Sequence, residues 1–208
     1  MVEPTTTTSI IRGAASRIHG NTHELTWLRN VYIIVGFPKL AMRMESLEVK
    51  KARRVPMESP IALLKCGVER WNAFRREHSD SIVFESIILA DAQLANIDMH
   101  SVLLMASDLR RTNLTNAILE RAILRHSNFR GSDLRHAILD GADLFHADLS
   151  GADLRGASLV SAFLKRTDLT GADLSTAQGL TTAQVTEAYG DGRTKLPEGI
   201  VRPANWIL

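Results

Sequence analysis

An all-β solenoid is the fold class that this sequence predicts, on three observations. A large apolar residue, usually Leu, recurs at every fifth position from Phe84 to Leu174, nineteen centres in one register without a slip. Two residues before each centre lies a second small or apolar register: Ile82, Ile87, Ala92, Ile97, Val102, then mostly Ala, Ser or Thr through Ala172. Hydrophobic residues make up 45% of the chain but aromatic residues only 5%, which suits an aliphatic ladder better than a mixed globular core. A period of five is neither the 3.6 of a helix nor the 2 of a flat strand. It marks a repeat whose units cannot bury their apolar side chains alone and do so by stacking on their neighbours.

The purest copies are Gly141-Ala142-Asp143-Leu144-Phe145, Gly151-Ala152-Asp153-Leu154-Arg155 and Gly171-Ala172-Asp173-Leu174-Ser175. These residues resemble the pentapeptide-repeat family, with its pattern of Ala, Asp or Asn, Leu and two variable positions, over roughly residues 82 to 178. The resemblance implies a right-handed quadrilateral parallel β-helix. In that family the central Leu and the small residue two before it point inward, each pentapeptide makes one side, and four make a coil of about twenty residues. Stacked coils then pair their backbones at roughly 4.8 Å.

The ends of a stack expose unpaired backbone and need caps. Four segments are expected: an N-terminal extension over 1–59, partly helical around Glu24 to Val35 and Pro38 to Arg54; a capping helix and lead-in over 60–80; the repeat over 81–178; and a C-terminal cap helix and tail over 179–208. Ser59-Pro60 is a good helix start. From there to about Arg76, Ile61, Leu64, Val68 and Trp71 share one face, while Lys65, Glu69, Asn72 and Arg76 face away. Gly67 to Asn72 looks like the lead-in found before many bacterial pentapeptide repeats. After Gln178, Thr181 or Thr182 is expected to cap a short helix reaching Tyr189 and ended by Gly190. The tail resembles that of many family members. In well-known relatives the C-terminal ends meet head to head, which implies a homodimer through that end, with Trp206, Ile207 and Leu208 as apolar contacts.

A fixed coil length allows the outward surface to be mapped. Residues twenty apart stack, so one edge gathers Val83, Leu103, Met105, Ile123, Phe145 and Phe163, joined from the next side by Ile118, Ile138 and Val160. Family members usually carry polar residues there, and a contiguous apolar stripe marks a covered or docking surface. Leu103, Ile123, Ile138, Phe145, Val160 and Phe163, with Trp206, Ile207 and Leu208, are therefore the candidate partner or dimer surface. The N-terminal helices are the alternative cover, above all for Val83 and Leu103. The other two sides carry Asp108, Arg110, Arg130, Asp148 and Asp168, and Asp133, Arg135, Asp153, Arg155 and Asp173. This charged face is a docking candidate or a solvated set of self-compensating pairs.

No catalytic constellation is legible. His126 and His146 fall one coil apart and His136 on the opposite side, too few for a metal site. Cys66, the one cysteine, has no His–Asp arrangement near it in the repeat, is expected to be partly buried and inert, and excludes an internal disulfide. The glycines follow the corner rhythm and form no phosphate loop. No enzyme activity, cofactor or metal is expected. Val31 to Phe37 is too short to span a bilayer, so no membrane partner is expected, and the chain is placed in the cytoplasm. The net charge of +2 divides into +5 over 1–81, −3 over 82–176 and zero over 177–208. Lys50, Lys51, Arg53 and Arg54 form a basic cluster, read as a solvated helix face with a phosphate contact as the alternative. Nucleic-acid binding is not expected, because no stacking platform accompanies the basic residues. The leading expectation is a binding scaffold that docks a protein partner through its sides. The alternatives are a structural assembly module and a DNA mimic that binds type II topoisomerase (gyrase), as the best-understood family members do. The Arg residues interrupting the Asp ladder count against the last.

Overall fold

The computed structural model describes residues 60–84 and 86–206. Its body is a four-sided solenoid. Parallel bridges join residues twenty apart, from Val83 with Leu103 through Ser158 with Gln178. Every fifth residue from Ser86 to Gly171 turns a corner in the left-handed region, with φ between 53° and 72°. The corner is thus the second residue after each centre, and the small residue two before the centre lies inside. Glycine occupies five of these corners. The others, such as Arg111 and His136, accept a backbone conformation that costs a non-glycine residue on the order of 1 kcal/mol.

Each pentapeptide is short because a corner follows so soon, and one residue per side forms the bridge. The sides are therefore single bridges and not the extended strands of an ordinary sheet. Leu134 shows the wiring. Its N–H donates to Asp153 O in the coil above at 2.8 Å, the Asp133 N–H donates to Thr112 O in the coil below at 3.0 Å, and the His136 N–H donates to Arg155 O at 3.0 Å. The Ala137 N–H closes the corner on Leu134 O at 3.0 Å. Inside, the column from Leu104 through Leu174 is almost fully excluded from water, and each buried Leu contributes roughly 1.5–3 kcal/mol. At inner positions 112, 127 and 167 the hydroxyl bonds a carbonyl of the coil below, as Thr112 does with Leu89 O at 2.8 Å and Thr167 with Leu144 O at 2.7 Å.

The N-terminal end is closed by two helices where the sequence predicts one. α1 spans Pro60–Lys65 and α2 spans Val68–Glu77, with Gly67 at φ 99° between them. Cys66 sits at this break and is exposed, contrary to the buried position expected of it. Asn72, expected to face away, lies against the first coil. Its amide nitrogen donates to Asn96 O at 2.8 Å, and its amide oxygen accepts from the Asp98 N–H at 2.8 Å in place of the acceptor that a preceding coil would have supplied. Trp71 Nε1 donates to Asp98 O, and the buried Arg75 guanidinium donates to Asp80 O and His100 O. Leaving such groups unpaired costs about 1–3 kcal/mol each. Ser59 and the helices expected over 1–59 lie outside the described residues.

At the other end the five-residue register breaks, but pairing continues beyond Gln178. Asp168 bridges Tyr189 and Asp173 bridges Lys195, twenty-one and twenty-two residues on. α3 is accordingly shorter than expected, Thr182–Thr186, capped by Thr181 in a capping box with Gln184. Stopping there frees Glu187 to accept from the Arg166 N–H, and Tyr189 to accept from the Leu169 N–H. Trp206, in a 3-10 turn over Ala204–Trp206, is buried over Gly190 and donates to Ala188 O at 3.2 Å. Arg202 donates to Asp191 O and Thr194 O. Among the described residues no helix is long and apolar enough to cross a membrane.

Candidate protein-docking surface

The outward residue just before each centre decides what a side offers. Where it is Asp or Asn, its carboxylate or amide oxygen accepts the N–H two residues on, at 3.1 Å from Arg135 to Asp133 and 2.9 Å from Ser150 to Asp148. No backbone oxygen takes that N–H in the coil, so the side chain satisfies it. At Val83, Ile88, Leu103, Ile118, Ile123, Ile138 and Phe163 an apolar residue replaces the acceptor, and each forgoes a bond worth about 0.5–1.5 kcal/mol. All but Ile88, which bridges Asp108, fall on two adjoining sides. Ile138, Val160 and Phe163 are exposed, at 38%, 47% and 41%, while Leu103, Ile123 and Phe145 are half-buried.

One of the expected surface residues goes elsewhere. Trp206 is buried within its own chain and is unavailable to a partner. Ile207 and Leu208 lie outside the described residues. On one side the bridges join Leu103 to Ile123, with Asp143 next and then Phe163; on the adjoining side they join Ile118 to Ile138.

The upper part of the edge carries cations among its apolar residues. Arg125, Phe145 and Lys165 occupy equivalent positions on successive coils, and with Phe163 and Arg166 they line a groove of about 380 Å³. The Phe145 and Phe163 rings lie 6.1 Å apart and nearly parallel, and the Arg125 guanidinium stands 5.7 Å from the Phe145 centroid. Arg125 is neutralised by Asp143 at 2.6 Å. Lys165 and Arg166 have no carboxylate partner among the described residues. Arg166 instead approaches His146 Nε2 at 3.3 Å, and His146 stacks on His126 at 5.2 Å. Loss of solvent, with Arg166 and His126 beside it, holds the His146 imidazole below its ordinary pKa and so in its neutral, accepting form. The signal for this cluster was present in the spacing of 125, 145 and 165, which share one side and one position.

The charged sides are compensated locally. Arg110 pairs with Asp108 at 2.6 Å, Arg135 with Asp133 at 2.7 Å and Arg155 with Asp153 at 2.6 Å, each across a single rung, and Lys195 pairs with Asp173 at 2.9 Å. The hydrogen bond from each Arg holds Asp108, Asp133 and Asp153 below the usual carboxylate range. Arg130, Asp148 and Asp168 stand without an ion pair among the described residues. No group of three or more His, Cys, Asp or Glu is gathered there to hold a metal.

A family model described as pentapeptide repeats matches residues 107–144 and 137–175, in eight copies. No curated protein matches the chain. Among solved structures, Rfr23, a pentapeptide repeat protein from the cyanobacterium Cyanothece 51142, is 27% identical, covering 60% of this chain and 97% of that one with a TM-score of 0.46. A pentapeptide repeat protein from Nostoc PCC 7120 is 31% identical over 64% of this chain and 84% of its own, with a TM-score of 0.23. QnrB1, a plasmid-mediated fluoroquinolone resistance protein, is 15% identical over 61% and 83%, with a TM-score of 0.35. Matched repeats over 107–175, laid out as rungs that pair twenty residues apart, place this chain in the pentapeptide-repeat family.

Proposed function

We propose that the protein is a non-enzymatic scaffold that docks a protein partner through the sides of its coil, with the apolar edge as the contact. The reading takes the coil as right-handed, the hand that the family resemblance implies. The observation that carries it is the replacement of the Asp acceptor by Val, Leu, Ile or Phe at six outward positions on two adjoining sides, against one, Ile88, on the other two. Each replacement gives up a local hydrogen bond and exposes apolar surface, two costs that folding alone does not require. Photo-crosslinking in cells tests it, with the reactive residue placed at Ile138 or Val160 on the edge and at Asp133 on the charged side. A discrete adduct with another protein from the edge positions, absent from Asp133, is the expected result. Adducts from neither edge position would overturn it.

Self-association through the C-terminal end is the second reading, and exposed Val201, at 67%, supports it. In the same crosslinking experiment an adduct of the chain with itself from Val201 would favour an assembly module.

A further inference from the structure

We propose that the groove between Phe145 and Phe163 takes an acidic protein segment, with its carboxylates against Lys165 and Arg166 and its apolar side chains along the Ile123–Leu103 stripe. This rests on the scaffold reading and names the chemistry of the partner. The groove carries two uncompensated cations side by side, since Asp143 neutralises Arg125 but nothing among the described residues neutralises Lys165 or Arg166. Arg166 Nη1 lies 3.3 Å from His146 Nε2, an imidazole that supplies no negative charge. Phe163 is 41% exposed at the same place, so an anion there also meets an apolar wall.

Polarity along the axis selects the ligand. Successive coils place Lys165 and Phe163 at one end, then Phe145, Ile123 and Leu103. At roughly 4.8 Å per coil this stripe is about 14 Å long, the reach of four or five extended residues. A nucleic acid would need a continuous basic track and several stacking rings. Here the cations stop after Arg125 and the surface turns aliphatic. The N-terminal 59 residues are a poor occupant on charge, because they hold nine Lys and Arg against five Asp and Glu. A free acidic segment with aliphatic residues preceding or following its carboxylates matches both ends of the stripe.

Fluorescence anisotropy with the full chain tests this. The probes are a labelled octapeptide of four alternating Leu and Ser residues followed by four Glu, the same peptide with Gln for Glu, and a labelled eight-nucleotide oligo-dT. The Glu peptide is expected to bind, at least tenfold more tightly than the Gln peptide. Lys165→Glu/Arg166→Glu is expected to remove that preference, and Phe163→Ser to weaken both peptides, with the melting temperature of each variant confirming folding. Equal binding of the Glu and Gln peptides, no binding of either, or tighter binding of oligo-dT would each overturn the proposal. Crosslinking from Ile138 and Val160 is read on separate residues, so the acidic-segment proposal and the scaffold reading fail independently.

Discussion

The inner position two before each centre accepts Ala, Ser or Thr, and the hydroxyls there are not equivalent. Thr167 Oγ1 donates to Leu144 O at 2.7 Å, whereas the buried Ser132 hydroxyl finds no partner. A buried hydroxyl without a hydrogen bond is a cost, and removing it leaves a smaller apolar side chain that fits the same space. Ser132→Ala is therefore expected to stabilise the protein by about 1 kcal/mol, and Thr167→Ala to destabilise it by a similar amount. Chemical denaturation of the two variants checks this, and a loss of stability in Ser132→Ala would refute it. Legibility follows the same division. The centres and inner positions were readable because a five-residue period repeats the same environment nineteen times. The roles of Asn72 and Arg75 were not, because they depend on which backbone groups of the first coil lack a preceding coil, and no periodicity in a short helix reports that. The Lys165–Arg166 pair escapes the apolar periodicity for a related reason: the cations lie between the apolar positions that define the stripe.

At the scale of elements, the two caps solve one problem by different means. α2 offers side chains in place of a coil, and the C-terminal segment after α3 offers backbone, continuing the pairing through Tyr189 and Lys195 with one and then two extra residues per coil. That segment is organised around Asp191. Its carboxylate accepts from the Gly171, Arg193 and Thr194 N–H groups and from the Arg193 guanidinium, which hold its pKa down to about 2. Nearby Asp173 also lies at about 2: burial opposes its ionisation, and bonds from Lys195 and Ser175 outweigh it. A carboxylate with a depressed folded pKa contributes its full stability above its unfolded value near 4 and loses it as pH falls through the folded value. The cap is thus expected to loosen between about pH 4 and pH 2. Hydrogen exchange at the Tyr189 and Lys195 amides, followed as pH is lowered and corrected for intrinsic exchange, should show protection falling in that window. In Asp191→Asn the fall should be shallower, and an unchanged profile in that variant would remove Asp191 from the account.

For the whole molecule, the distribution of charge matters more than its sum. A protein that competes with duplex DNA needs a continuous acidic side, since DNA carries one charge per about 1.7 Å of axis. Here the coil region holds only −3, and the Asp residues of the side centred on Leu134 and Leu154 are met within the same rung by Arg135 and Arg155. Pairs closed at 2.6–2.7 Å cancel beyond the screening length of about 8 Å, so a partner approaching that side meets alternating dipoles and no negative stripe. Asp148 and Asp168 are the unpaired carboxylates of the neighbouring side, and Arg130 stands beside them on the coil below. The protein is therefore expected to leave DNA supercoiling by gyrase unchanged, with or without a quinolone, even in molar excess. Reversing the compensation gives the control: Arg135→Ser/Arg155→Ser exposes Asp133 and Asp153 as stacked carboxylates below the Lys195-paired Asp173, and inhibition gained only by that variant would show that paired arginines, and not the shape of the coil, keep this chain from acting as a DNA mimic. Inhibition by the native chain would instead make DNA mimicry the better reading and reduce the apolar edge to a surface for self-association.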